Sequence, residues 1–360
     1  MAEENQTIYC AHAGPIPLEV ERKIQSNNYE GELFNDYGFV IRAKAEKGED
    51  IHLWPIIYQQ QGDEAVNSGD VCQILVIYGK FSDNEKKFMH PNCSTVNKGQ
   101  NIEDYFSPGS IKWTETEQDV KVGAWRPNSL GRSSRVACLW RSCWSEVECS
   151  FHPDNPAFYH CGRFEDAKTP VAKAGYIVHT RVSGTIEVHG KALVIKDGFG
   201  IHERIKQHGK VADRTLFMSG RGLHWKHAFS EGFTWYLMRR DIGRGMSSAM
   251  INIGDRQIFL EDPTSSGVEE VAHWVDPESR ILSPYKWKIW IRTEQGTHES
   301  LIHAYGQQYY TWIRRNETLV VNQYCADAET IFKYLDGRVL GFQQMISIEH
   351  MRTLYRQTAN

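Results

Sequence analysis

The chain has 360 residues, with 41 Lys and Arg against 45 Asp and Glu, a formal net charge of −4. That balance offers no basic field for nucleic acid, and no stretch approaches the ~20 apolar residues of a membrane-spanning helix. A chain of this length calls for one large or two medium cores. The opening residues, MAEENQTIYCAHAG, have neither a basic head nor an apolar centre. They do not read as a signal peptide, and a cytoplasmic protein is expected.

Eight cysteines (Cys10, Cys72, Cys93, Cys138, Cys143, Cys149, Cys161 and Cys325) are scattered without a C-x-x-C pair. They read as reduced thiols, and none has structural-zinc spacing. The aromatic count is high, with 11 Trp, 16 Tyr and 15 Phe. Rings in that number suit a β core and also a ligand cavity with a few polar groups.

Along the chain, residues 1–28 form an N-terminal segment in which Pro17 and LEVERKI predict a short helix. Strand texture begins at Tyr29. ELFNDYGFVIRAKAE, IHLWPIIYQQQ and DVCQILVIYGKF are β-rich runs bounded by turn formers, and Pro55 within the second suggests an edge or a bulge. SIKWTETEQDVKVGAW, RVACLWRSCW and EVECSFHP continue the pattern. HPDNPAFYHCGRFEDAKTPVAKAG, 152–175, is irregular and predicts the connection between halves. The expected division is therefore an N-terminal β domain over 29–174 and a C-terminal one over 175–360.

The second half opens with two long strands that turn at His189-Gly190-Lys191. A tight hairpin passes through Gly254-Asp255, and DAETIFKYLDG predicts a short helix. Many evenly spaced strands with few helices read as an all-β protein of barrels or sandwiches. There is no nucleophile elbow, P-loop or dinucleotide fingerprint.

The stretch SGTIEVHGKALVIKDGFGIHERI, followed by GLHWKHAFSEGFTWYLMRR, resembles the carotenoid 1,2-hydratase (hydroxyneurosporene synthase) and AttH-like superfamily. Lipocalin-like Diels–Alderases are similar in architecture. The resemblance implies two lipocalin-like antiparallel β-barrel domains packed together, with chemistry in a hydrophobic cavity. In this chain the acid–imidazole pair reads His202-Glu203.

Such a cavity suits hydration, dehydration, isomerisation or cyclisation, each of which needs a proton donor in a dry pocket. Glu203 is the candidate acid, since burial among rings raises a carboxyl pKa. His202 or His224 is its partner, and Tyr236 orients an oxygen. Trp225, Trp235 and Trp274 offer ring faces to an unsaturated or cationic centre. Lys226 and Arg239 suit a carboxylate or enolate-like oxygen, with His227 beside them. The bland reading is a β core for Trp235 and Tyr236 and satisfied or surface positions for the histidines.

Alternation sorts these candidates. His202 and Glu203 face opposite sides, His224 goes with Lys226, and Trp225 goes with His227, so one of His224 and His227 is expected at the surface. His202-Glu203-Arg204-Ile205-Lys206-Gln207-His208 lacks the four-residue spacing of a zinc protease. The expected protein is a non-redox enzyme with no cofactor and no metal. It acts on a small hydrophobic unsaturated molecule of terpenoid, carotenoid or polyketide type. A carrier protein, or a metal-dependent lyase or hydrolase built from nonlocal His and Glu, is the alternative, and a homodimer is left open.

Overall fold

The computed structural model describes residues 11–12, 33–61, 69–86, 99–106, 113–116, 119–122, 135–141, 145–160, 173–208, 223–240, 246–276, 280–313 and 317–356. The helix expected after Pro17 and the side chain of His208 lie outside the described residues. Among the described residues the chain is all β apart from one four-residue helix, α1 (Asp83–Lys86), and one 3-10 turn, Pro263–Ser265. No helix among them is long and apolar enough to cross a membrane.

Two curled sheets make up the molecule. The first takes β1 (Ala11–His12), β2 (Leu33–Lys44), β3 (Asp50–Gln61), β4 (Gly69–Gly79), β5 (Gln100–Phe106), β6 (Trp113–Thr116), β7 (Asp119–Val122), β8 (Arg135–Arg141), β9 (Ser145–Pro153), β10 (Phe158–Tyr159), β11 (Lys173–Val188) and β12 (Lys191–His208). Its path runs β5-β4-β3-β2-β12-β11-β9-β8-β7-β6, with β10 bonded to β1 and β11. The second takes β13 (Leu223–Ser230), β14 (Phe233–Arg240), β15 (Met246–Ile253), β16 (Arg256–Leu260), β17 (Ser266–Val275), β18 (Leu282–Thr293), β19 (Gly296–Ile313), β20 (Glu317–Tyr334) and β21 (Val339–Arg356). Its path is β16-β15-β14-β13-β21-β20-β19-β18-β17. Pairing is antiparallel throughout except between β7 and β8.

Turn chemistry fixes the register. His189 and Gly190 both take positive φ, 49° and 76°, and join Val188 to Lys191 across a two-residue turn. That is the primed geometry whose twist matches a hairpin. In the two-residue turn between Ile253 and Arg256, Gly254 takes positive φ, 56°, and Asp255 does not.

Among the described residues, three large apolar cores result. Phe39, Ile41, Leu53, Phe151 and Ile186 fill the hollow of the first sheet. Trp235, Trp287, Ile289, Tyr324 and Phe332 fill that of the second. A third core lies in the seam, where Val40, Trp54, Phe158 and Ile201 of one sheet meet Trp225, Tyr236, Met250 and Val321 of the other. Arg42 ties the seam. Fully buried, it donates to Cys325 Sγ at 2.8 Å, and to Tyr305 Oη and the Ala326 carbonyl at 3.1 Å each.

Several expectations change here. Of the stretch 327–337, residues 327–334 are strand, not helix, because Ala328, Thr330 and Phe332 turn inward in strict alternation between two paired neighbours. Pro55 sits on an interior strand rather than an edge or a bulge. The β2–β3 register is unshifted, but its pairing lapses between Gly38–Ile56 and Ile41–Leu53, opposite the residue that has no N–H. His224 and His227 are both buried, 5% exposed each, because β13 has a core on either side. Nor does the chain change sheet within 152–175: β11 and β12 pair with β9 and β2, and the second sheet starts at β13.

Candidate active site

Alternation along β12 sends Ile201, Glu203 and Ile205 into the seam, while His202 turns to the first sheet's hollow and stacks on Phe39 at 4.9 Å. Glu203 is 6% exposed, and its Oε1 lies 2.9 Å from Nε2 of the fully buried His160, without the alignment of a hydrogen bond. His160 directly follows β10, which pairs with β11 and so carries the imidazole over that strand.

Two glycines make room for the pair. Gly38 stands opposite Glu203 in the β2–β12 ladder, where an added Cβ would come 3.3 Å from Glu203 Oε2. A Cβ on Gly175 would meet His160 Cε1 at 3.0 Å and the Arg204 carbonyl at 2.5 Å. Glycine inside a strand marks such close approaches.

The second sheet closes the site with rings. Trp225 lies 5.4 Å from the His160 ring between centroids, Tyr236 lies 6.4 Å from it, and Phe158 packs on Tyr236 at 5.0 Å. Farther along the seam, His227 Nδ1 is 3.1 Å from His179 Nε2, and His179 Nδ1 is 3.0 Å from Thr234 Oγ1. Burial drives both imidazoles down, His179 to about 3 and His227 well below its usual range. Two neutral rings suit that chain, one N–H meeting the other ring's lone pair.

The electrostatics of the seam favour protonated carboxyls. Burial pushes Glu203 well above the usual carboxylate range, and Asp36 and Glu349 push it further. Burial also lifts Asp36 to about 7, against the pull of Arg204. Glu349, whose Oε2 accepts from Gln323 at 2.6 Å, is lifted to about 8 by burial. Burial at all three acids, and the charge of neighbouring acids at Glu203 and Glu349, favour the protonated form.

Of the residues expected from sequence, Glu203, Trp225, His227 and Tyr236 thus share the seam. His224, Lys226, Trp235 and Trp274 occupy the interior of the second sheet. There Trp235 donates to Gln344 Oε1 at 2.8 Å, and Lys226 Nζ lies 4.2 Å over the Trp287 ring. Burial lowers Lys226 to about 7, opposed by the charge of Glu270. Arg239 reaches the carbonyls of Pro263 (2.9 Å) and Ser266, tying β14 to the link between β16 and β17. Glu203 and His224 are therefore not brought together, and His202 faces away from both, held near 3 by burial. Sequence reasoning missed His160, Asp36 and Glu349. The available signals were Gly38 and Gly175, each breaking a strand pattern next to the pair.

No protein-family model and no curated protein matches the chain. Solved structures do. A protein described as an AttH from Nitrosomonas europaea superposes with a TM-score of 0.56 at 13% identity, over 93% of this chain and 98% of its own. Kievitone hydratase from Nectria haematococca gives 0.57 at 11% identity, over 98% and 95%. CghA gives 0.53 at 8% identity, over 91% and 90%. The likeness is one of fold. At that level the lipocalin-like, AttH-type resemblance read from the sequence is found.

Proposed function

We propose that the seam is the active site of a non-redox enzyme that hydrates, dehydrates, isomerises or cyclises a small, largely apolar, unsaturated substrate. The observation that carries this is Glu203: a carboxyl buried among rings, where burial raises its pKa well above the usual carboxylate range, with an imidazole 2.9 Å away. Such an acid delivers its proton to a double bond, carbonyl or leaving hydroxyl, a contribution of about 10²–10⁴ in rate. The Trp225 and Tyr236 rings face the site from the second sheet, where they can shield a developing cation. His160 is placed to return the proton to Glu203. The fold neighbours agree with this class, since one is a hydratase and CghA has also been crystallised with a small molecule, Sch210972.

The test is turnover of a panel of prenylated phenols, polyenes and terpenoids by wild type and Glu203→Gln in H2-18O. Hydration adds one labelled water to the product, whereas isomerisation and cyclisation leave the mass unchanged. Glu203→Gln should cut turnover by about 10²–10⁴ and keep ligand binding. A ligand that binds wild type and variant alike, with no product from either, would make the protein a carrier.

A further inference from the structure

The second sheet's interior holds a polar cluster that the seam chemistry does not use. His224 on β13 and His350 on β21 are direct cross-strand partners, with rings stacked at 4.7 Å. Glu270 on β17 reaches both from across the hollow. Its Oε1 lies 3.3 Å from His224 Nε2 and 3.6 Å from His350 Nε2. All three ligand atoms fall within 4.8 Å of one another.

These distances discriminate. At 3.6 Å the His350–Glu270 approach is too long for a hydrogen bond. Two donor atoms on one tetrahedral zinc, each ~2.0–2.2 Å from the ion, sit about 3.3–3.5 Å apart. One oxygen placed between two stacked imidazole nitrogens at near that spacing has the form of half a metal shell. The rest of Glu270 is held as metal ligands usually are: its other oxygen, Oε2, bonds His273 Nε2 at 2.7 Å. That contact fixes the carboxylate's rotation and leaves Oε1 aimed at the two rings.

We propose that the second sheet carries a divalent transition-metal site of the zinc class, with His224 Nε2, His350 Nε2 and Glu270 Oε1 as ligands and His273 as the residue that orients Glu270. Two imidazoles and one carboxylate suit zinc and its neighbours better than calcium or magnesium, which prefer oxygen. Three protein ligands leave a position for water or another small ligand, as zinc sites that do chemistry have. The ligands come from three strands far apart in sequence, so no spacing motif announces them. The site stands apart from the Glu203 seam, on the opposite face of β13, and does not depend on that function.

The experiment uses the full chain, stripped with a chelator and titrated with Co2+ and then Zn2+. One equivalent of Co2+ should bind and give the intense visible bands of a four-coordinate ion, and Zn2+ should displace it. His350→Asn and Glu270→Gln should each lose at least 100-fold in affinity, and His273→Ala about 10–100-fold. Binding of equal strength in wild type and in folded His350→Asn or Glu270→Gln would overturn the proposal. Should those variants not fold, the wild-type spectrum decides. Bands no stronger than those of aqueous Co2+, or no stoichiometric uptake, would also overturn it.

Discussion

The two faces of strand β13 bury polar chemistry of opposite kinds. On the seam face, Trp225 packs by His160, the imidazole beside Glu203, whose carboxyl burial pushes toward its protonated form, and His227 bonds His179. On the inner face, His224 looks onto Glu270 and a second imidazole. One is led by an acid among rings and the other by imidazoles around a carboxylate. The difference shows how a sheet with a core on each side spends its alternation. Neither parity is the solvent parity, so parity decides which residues can cooperate and not which are buried.

The largest expected effect breaks the faces apart. Glu203→Gln should cut turnover by about 10²–10⁴ and leave the fold intact. His298→Gln, a change in the second core where His298 Nε2 sits 3.0 Å from Ser300 Oγ, should leave turnover unaltered and cost about 1 kcal/mol of stability. Equal losses of turnover from both would mean that the two faces form one site.

Stability separates them next. Trp287→Ala removes a fully buried ring from the second core and should cost about 3–5 kcal/mol, read from urea unfolding. Trp225→Phe, at the seam, keeps most of its apolar area and should show mainly in turnover.

The pH response sharpens the contrast. Asp36 rises from 3.8 to about 7 on folding, so the folded state holds a proton that the unfolded chain has released. Its contribution is present below the unfolded pKa and is lost as pH rises through about 7. Glu203 and Glu349 act in the same sense; His160 beside Glu203 and Arg204 near Asp36 are titratable or charged groups close to them. Buried His179 and His202, lowered from 6.5 to about 3, act in reverse and destabilise as pH falls below 6.5. Stability should therefore peak near neutrality. Between pH ~4 and ~7 Asp36 works against the gain from the histidines, so Asp36→Asn should add on the order of 2 kcal/mol to the rise in stability over that range. An unchanged slope would place Asp36 in an ordinary solvated environment. Turnover should likewise fall as pH rises through the Glu203 pKa, because the acid form does the work.

The smallest effect is the finest probe. Gly38→Ala sets a Cβ 3.3 Å from Glu203 Oε2. It should shift turnover several-fold while costing no more than about 1 kcal/mol. A change in stability without one in rate would show that Glu203 adjusts freely.

Much of the fold was legible because its signals are local. The turns at His189-Gly190 and Gly254-Asp255 and the two-residue alternation on either side of them specify hairpins without reference to anything distant. The stretch 327–337 misled because Ala, Glu and Lys favour helix intrinsically, and only the two strand neighbours of its first eight residues override that preference. The site was half legible. Glu203, Trp225 and Tyr236 stand out as an acid and rings in one stretch of chain. His160 and Glu349 lie in segments whose relation to Glu203 is set by sheet order alone, and β21 lies beside β13 only because the second sheet folds back on itself. The assumption of one wet face per strand also failed, since packing sheet on sheet removes it.

The central claim is that Glu203 carries a proton at neutral pH in the seam. The direct measurement is the infrared difference spectrum between wild type and Glu203→Gln at pH ~7, in H2O and in D2O. A carboxylic-acid C=O stretch should be present in wild type, sensitive to deuteration and missing in the variant. A spectrum in which the substitution removes only carboxylate bands would contradict it.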